Sequence, residues 1–216
     1  MKKSTIDKVG ISMSYKTEQE EFWSGEFGNE YIERNQEEVD VAANVALFSE
    51  IIKSTNAISS VIEFGANVGV NLKAIKSLLP VAEISAIEIN EKAVTQLKKI
   101  DNATVYHSSI LDFSPEQEKD FVLIKGVLIH INPSELQHVY ELLYQTSNKY
   151  ICIVEYYNPS PVEVKYRGHE GKLFKRDFAG EIMDKFSDLK LIDYGFVYHR
   201  DNHFPQDDLT WFLLEK

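Results

Sequence analysis

From residue 58 onward, short apolar runs alternate with longer stretches in which apolar residues recur every three or four positions. The short runs predict strands, and the recurrent pattern predicts helices. Nearly continuous apolar strands that alternate with helices predict a parallel sheet covered by helices on both faces. Strands are predicted at 60–64, 83–89, 103–107, 120–125 and 150–156, and helices at 68–79, 90–100, 134–147 and 176–188.

The two ends of the chain depart from this alternation. Residues 17–53 are rich in glutamate and carry apolar residues at helical spacing, so they predict helices, interrupted at Gly25 and Gly28. At the other end, the apolar runs 189–201 and 209–216 are joined by "DNHFPQDD", which leaves no room for a crossover helix and predicts an antiparallel hairpin.

The predicted fold is therefore α/β, a Rossmann-like sheet of seven mostly parallel strands that closes with a C-terminal antiparallel hairpin. We expect a single domain, with residues 1–55 forming a helical lid and residues 56–216 forming the core.

The amino-acid composition argues against membrane-spanning and general nucleic-acid-binding proteins. Hydrophobic residues make up 44% and charged residues 26%, which is ordinary for a soluble globular chain, and no apolar run is long enough to span a membrane. The net charge of −11 argues against general nucleic-acid binding. A single cysteine, and a start without an apolar run, predict a cytoplasmic protein. No histidines, cysteines or acids have metal-ligand spacing, so no metal is predicted.

One motif points to a ligand. In "SSVIEFGANVGVNLKAI", Gly65 follows a strand and Gly69 opens a helix, so backbone N–H groups can approach a ligand closely. Glu88 ends the next strand, where a carboxylate can accept both hydroxyls of a ribose. The loop and Glu88 together predict a site for an adenosine-type ligand.

The residues of the loop narrow the choice of ligand. The dinucleotide fingerprint G-x-G-x-x-G is absent, because Asn67 replaces its second glycine, and no P-loop sequence occurs. A carboxylate at Glu63 would oppose a pyrophosphate, whereas it suits a ligand that bears an ammonium group. S-adenosylmethionine (SAM) has a ribose, an ammonium and a sulfonium but no phosphate, so it is the predicted cofactor.

At these residues the chain resembles the class I SAM-dependent methyltransferases, over about residues 58–216. The resemblance implies that "VIEFGANVG" cradles the cofactor, that Glu88 binds the ribose, and that the turn "HSSILDF" (107–113) contacts the adenine. The cofactor contacts implied are Glu63, Gly65, Ala66, Asn67, Gly69, Glu88, Ile89, Ser109 and Ile110.

Three further segments give a closer resemblance. "EFWSGEFGNEYIERN", "KGVLIHINPSEL" and "EYYNPSPVEVKYRGHEGKLFKRDFAGE" are similar to methylases associated with pseudaminic acid biosynthesis, and this match spans nearly the whole chain. It implies a small-molecule methyltransferase, with a sugar or nucleotide-linked sugar of a surface-glycan pathway as a candidate acceptor.

The segment "EEFWSGEFGNEYIERN" carries aromatic residues, is interrupted by glycines and lies outside the sheet pattern, so it predicts a lid. Trp23 and Tyr31 would present aromatic faces to the sulfonium, and Arg34 would hold the cofactor carboxylate. The alternative is a helix that packs on the edge of the sheet through its aromatic residues.

Candidate catalytic residues follow the fourth and fifth strands, at the crevice of the sheet. His130, Glu155 and Tyr156 are candidates for a general base, and Lys125 for a cofactor contact. Each has a structural alternative, a packed histidine for His130 and a solvated strand end for Lys125. His199 and His203 are predicted to be structural.

A basic run, "VKYRGHEGKLFKR" (164–176), should fold over the crevice mouth, although a solvated loop is the alternative. Its cations would attract an anionic acceptor, and Arg167 could grip a carboxylate or phosphate. The predicted substrate contacts are Tyr157, Arg167, His169 and Lys172.

The sequence thus predicts a SAM-dependent methyltransferase that transfers a methyl group to nitrogen or oxygen of a small acidic molecule. Two alternatives stay open: a nicotinamide-dependent oxidoreductase, and a non-catalytic protein that binds the cofactor or a partner.

Overall fold

The computed structural model of the chain describes residues 15–34 and 37–216. The helices are α1 (Glu18–Ser24), α2 (Glu26–Arg34), α3 (Glu37–Ile52), α4 (Val70–Leu78), α5 (Glu91–Leu97), α6 (Leu136–Thr146) and α7 (Phe178–Lys185). The strands are β1 (Ser60–Phe64), β2 (Glu83–Glu88), β3 (Ala103–His107), β4 (Lys119–Lys125), β5 (Ser147–Glu155), β6 (Val162–Glu163), β7 (Phe174–Lys175), β8 (Lys190–Val197) and β9 (Leu209–Glu215).

Seven of these strands form one sheet in the order β3-β2-β1-β4-β5-β9-β8. Strands β1 to β5 run parallel, and β9 pairs antiparallel with both β5 and β8. The predicted fold class, including the closing hairpin, is confirmed. Because the strand order reverses between β1 and β4, the loops that follow these two strands part and leave a crevice at their carboxyl ends.

The central strands are mostly apolar because both of their faces are covered. Ile62 and Phe64 of β1 point into a core completed by α6 and α7. Val61 points into the opposite core, which α3 and α4 complete. Glu63 alternates onto the same face as Val61 and is fully buried there.

The N-terminal segment is helical, as predicted, and Gly25 separates α1 from α2. The predicted break at Gly28 is wrong, since this residue lies inside α2. A Cβ atom on Gly28 would lie 1.9 Å from the Trp23 carbonyl oxygen, so the glycine lets the two helices approach closely. Its role is packing at the junction of α1 and α2.

The basic run 164–176 contains most of a small hairpin that the sequence did not predict. Strands β6 and β7 pair antiparallel, and beyond them Tyr166 and His169 exchange backbone hydrogen bonds of 2.9 and 2.8 Å. Arg167 and Gly168 form the tip, with φ angles of 48° and 93°. Positive φ at two adjacent positions produces a tight turn.

Among the residues described, no helix combines the length and the apolar character that crossing a bilayer requires. In the same part of the chain, no three histidine, cysteine or acidic residues are grouped so that they could hold a metal ion.

Candidate functional site

A cavity of about 760 Å³ lies at the carboxyl ends of β1, β2, β4 and β5. Helices α1 and α2 cover one side of it, and the loop between β8 and β9 borders the other. Its volume lies in the range typical of small-molecule sites. The cavity is thus large enough for a nucleoside-sized ligand together with a small second molecule.

The glycine loop forms the floor of this cavity. Gly65, Asn67 and Gly69 have φ angles of 74°, 48° and 80°, so the loop turns through three left-handed residues. Asparagine adopts this conformation more readily than most side chains, which accounts for Asn67 at the middle position. A Cβ atom on Gly65 would lie 2.7 Å from a Val127 methyl, so the close packing of the loop after β4 also requires glycine at this position.

Glu88 lies on the cavity wall beside this loop and is 7% exposed. Its Oε2 accepts the Asn67 N–H at 2.7 Å, and its Oε1 accepts the Asn90 N–H at 2.8 Å. Burial raises the pKa of Glu88, and these backbone hydrogen bonds oppose the rise. Each carboxylate oxygen has two acceptor positions, so both keep capacity for a ligand hydroxyl.

Glu63 takes a different position from the one expected of a direct ligand contact. It is fully buried beneath the loop and does not line the cavity. Its Oε1 accepts the Asn71 Nδ2–H at 2.5 Å, while its Oε2 has no hydrogen-bond partner among the described residues. Burial raises the pKa of Glu63 to about 8. Its hydrogen bond with Asn71 connects the end of β1 to the first turn of α4.

Helices α1 and α2, which were predicted to belong to a lid, contribute residues to the cavity wall. Trp23 and Tyr31 both line it, with ring centroids 5.3 Å apart in an edge arrangement. The Trp23 Nε1–H is buried and has no hydrogen-bond partner in the described part of the chain. Arg34 ends α2, and its side chain lies outside the described residues.

Aromatic contacts fasten the lid to the rest of the site. The Trp23 ring lies 4.7 Å from that of His130, and the His130 ring lies 4.9 Å from that of Tyr166 at the hairpin. Phe22 and Phe27 pack against each other at 4.0 Å, and both contact the His169 ring. These ring contacts join α1 and α2 to the hairpin, while Trp23 and Tyr31 also line the cavity.

Polar contacts hold the lid to the turn that follows β3. The Lys16 ammonium contacts the Asp112 carboxylate at 2.6 Å and the Leu111 carbonyl at 2.9 Å. The Ser109 hydroxyl donates to the Glu20 carboxylate of α1. Ser109 and Ile110, both predicted to contact adenine, line the cavity at this turn, as does Ile89 beyond the end of β2.

His130 lies in a 3₁₀ turn beyond β4 and lines the cavity. Burial lowers its pKa to about 4, so the imidazole is neutral near pH 7. Its Nδ1 lies 2.5 Å from the Lys172 carbonyl oxygen. A carbonyl can only accept, so Nδ1 carries the proton and Nε2 is left as the acceptor.

The other two candidates for a general base are less suited to it. Glu155 is buried, does not line the cavity, and accepts the N–H groups of Val127 and Leu128 at 2.9 and 2.8 Å. It therefore shapes the turn that carries His130. Tyr156 lines the cavity, but burial and its hydrogen bond to Asp207 raise the pKa of its phenol, which keeps the proton near neutral pH.

The predicted substrate contacts separate into two groups. Arg167, at the hairpin tip, lines the cavity, as does Lys125 at the end of β4, which was predicted to contact the cofactor. Lys172 instead pairs with Glu18 of the lid at 3.3 Å, and His169 packs on the lid aromatics. Tyr157 lies outside the cavity against Phe212, with ring centroids 5.9 Å apart.

Two residues of the cavity wall, His199 and Asn44, were not predicted to belong to the site. His199, predicted to be structural, lines the cavity mouth, and its Nδ1 lies 2.8 and 2.9 Å from the two Asp208 carboxylate oxygens. Its position beyond a strand that ends at the crevice could have revealed it. Asn44 of α3 also lines the cavity, is 4% exposed, and its Oδ1 has no partner in the part of the chain described. No sequence signal marks Asn44.

No protein-family model matches the chain, and no curated protein matches its sequence. Solved structures do match. A SAM-dependent methyltransferase of Leishmania major superposes with a TM-score of 0.69 at 13% identity, over 92% of this chain and 87% of that one. The chain has the class I methyltransferase fold.

Two further solved methyltransferase structures also match the chain. The 1,6-didemethyltoxoflavin-N1-methyltransferase of Burkholderia thailandensis, with its substrate and S-adenosylhomocysteine (SAH) bound, matches with a TM-score of 0.66 at 12% identity, over 92% and 86% of the two chains. The plantazolicin methyltransferase BpumL, bound to SAH and a pentazolic desmethylPZN analog, matches with a TM-score of 0.60 at 17% identity, over 91% and 94%. The similarity to methylases of pseudaminic acid biosynthesis stays a prediction.

Proposed function

We propose that the protein is a SAM-dependent methyltransferase that acts on a small molecule. The observation that carries this proposal is the Glu88 carboxylate on the cavity wall, with acceptor capacity left on both oxygens. It lies beside a glycine loop that offers no basic residue for a pyrophosphate. The matching structures that bind SAH have the same fold and support this choice.

The residues of the cavity fit the parts of SAM in order. The loop from Gly65 to Gly69 would support the methionine portion, Glu88 the ribose, and the turn at Ser109 and Ile110 the adenine. When bound, the cofactor supplies an electrophilic methyl group on its sulfonium.

For the acceptor, we propose a small anionic molecule methylated at nitrogen or oxygen. Support comes from Arg167, whose cationic side chain lines the cavity of a chain with a net charge of −11. The similarity to methylases associated with pseudaminic acid biosynthesis favours a carboxylate-bearing sugar or a nucleotide-linked sugar.

Proton removal from the acceptor is proposed for His130 in preference to Glu155 or Tyr156. The Lys172 carbonyl holds the imidazole in the tautomer whose Nε2 can accept a proton, and the ring is neutral before the reaction. The aromatic residues of the lid would keep water from the methyl group, and the His130 ring and the cavity wall would align the acceptor.

The experiment is calorimetric titration of the chain with SAH and, separately, with NADH. The proposal expects saturable binding of SAH and none of NADH. Incubation with methyl-labelled SAM and a fraction of small anionic metabolites should then transfer label to a small molecule. Binding of NADH alone would favour an oxidoreductase, and binding of SAH without any label transfer would favour a non-catalytic protein.

The lid has a test of its own. Removal of residues 1–35 should leave a folded core that binds SAH weakly, because Trp23 and the contacts of Lys16 are lost with it. Unchanged SAH affinity after this truncation would contradict a lid that contributes to the site.

A further inference from the structure

The lid places a carboxylate next to the turn that follows β3. Glu20, in the first turn of α1, is 8% exposed and lines the cavity. Its Oε1 accepts a hydrogen bond from the hydroxyl of Ser109, a residue 89 positions away in the sequence. A charged side chain of the lid therefore reaches one corner of the cavity, at Ser109 and Ile110, which the core otherwise forms.

The hydrogen bonds of Glu20 leave one acceptor position open. Three donors converge on Oε2: the Lys16 N–H at 2.7 Å, the Thr17 N–H at 2.8 Å and the Thr17 hydroxyl at 3.2 Å. Within the described residues, Oε1 accepts the Ser109 hydroxyl alone. A carboxylate oxygen has two acceptor positions, so Oε1 keeps one for a ligand.

Ser109 cannot supply a donor to this corner. Its hydroxyl proton is committed to Glu20, and its oxygen also accepts the Leu111 N–H at 3.0 Å. The side chains of Glu20 and Ser109 therefore both face the cavity as acceptors, with the carboxylate carrying negative charge. A ligand group that donates a hydrogen bond is favoured here, and one that presents a carbonyl oxygen is repelled.

The order of the strands shows which ligand group reaches this corner, given the function proposed above. Neighbouring strands end in the order β1, β2, β3. With the methionine portion on the loop after β1 and the ribose at Glu88 of β2, the base extends toward the turn after β3, where Glu20 lies. The donor on the edge of adenine is its exocyclic amino group.

We propose that Glu20 of the lid accepts a hydrogen bond from the adenine amino group, with Ser109 orienting the carboxylate. The lid, rather than the sheet loops alone, then distinguishes adenine from hypoxanthine. A base with a carbonyl oxygen in place of the amino group meets two acceptors.

The experiment compares two ligands by calorimetry: SAH and S-inosylhomocysteine, in which a carbonyl replaces the amino group. The unmodified chain should bind SAH at least about tenfold more tightly. In Glu20→Gln, the amide oxygen can still serve the capping donors and the NH₂ group faces the cavity, so the preference should fall by at least about tenfold. Glu21→Gln is the control, because it removes the same charge from an exposed neighbour on α1.

The outcomes separate this inference from the proposed function. If SAH binds but Glu20→Gln weakens both ligands equally, Glu20 only latches the lid and the inference is overturned. An equal loss of preference in Glu21→Gln would also overturn it, because the effect would then be one of net charge. If the unmodified chain binds no SAH, the proposed function itself fails, and the inference with it.

Discussion

Replacement of Glu88 by alanine tests the ribose site most directly. Each carboxylate oxygen already accepts one backbone N–H bond and can accept one ribose hydroxyl in addition. A hydrogen bond to a charged group contributes about 1.5–3 kcal/mol, so loss of both would cost about 3–6 kcal/mol. This corresponds to SAH binding that is weaker by a factor of about 10² to 10⁴.

The same substitution also affects the fold, so stability has to be measured beside affinity. The N–H groups of Asn67 and Asn90 lose their acceptor, and each unsatisfied buried group costs about 1–3 kcal/mol. Removal of a buried carboxyl whose pKa is raised by burial offsets part of this cost. Chemical denaturation of the unliganded variant gives the net change.

The assay is calorimetric titration with SAH at a temperature where both proteins are folded. Glu91→Ala is the matched control, since Glu91 is an exposed glutamate in the first turn of α5, close to Glu88 in sequence. The control should retain wild-type affinity. If Glu88→Ala remains folded and binds SAH within about threefold of the wild type, a charge-assisted ribose contact at Glu88 is refuted.

Three further predictions concern the lid, the buried carboxyls and the acceptor. Gly28→Ala places a Cβ atom 1.9 Å from the Trp23 carbonyl oxygen, so it should destabilise the α1–α2 junction by about 1–3 kcal/mol. SAH binding, measured by calorimetry, should weaken as a result. Unchanged SAH affinity would show that the junction does not determine how the lid contributes to binding. Burial raises the pKa of Glu155 to about 8, so the folded state holds a proton that the unfolded state releases, and stability should fall as the pH rises from about 5 to 8. Glu155→Gln lacks this proton, so its Tm should fall less over the same range, and a pH slope equal to that of the wild type would contradict the raised pKa. Arg167→Ala should raise the KM for an anionic acceptor while SAH affinity stays within about twofold, and loss of SAH binding instead would refute its assignment to the acceptor.

The sequence predicted the sheet well because its signal is local. A strand buried on both faces, such as β1 or β4, needs an apolar residue at nearly every position, and this requirement is visible in a few consecutive residues. The closing hairpin followed from the length of its connection, and the break at Gly25 from a glycine between two helical runs.

The candidate site was predicted in part for the same reason. Glu88, the glycine loop and the turn at Ser109 follow predicted strands directly, so the parallel topology alone gathers them at one edge of the sheet. The same rule brought His130 and Tyr156 to the cavity wall. Their chemical roles stay predictions.

Other features were decided by contacts between distant parts of the chain. Gly28 lies within a helix, where the end of α1 packs against it. Lys172 was predicted to contact the substrate, but it forms an ion pair with Glu18 of the lid. Glu20 became part of the cavity only when α1 packed against the turn that carries Ser109. Such positions depend on which surfaces meet after folding. A local pattern fixes the direction of a strand or helix, but it does not record the partner that a side chain finds across the fold.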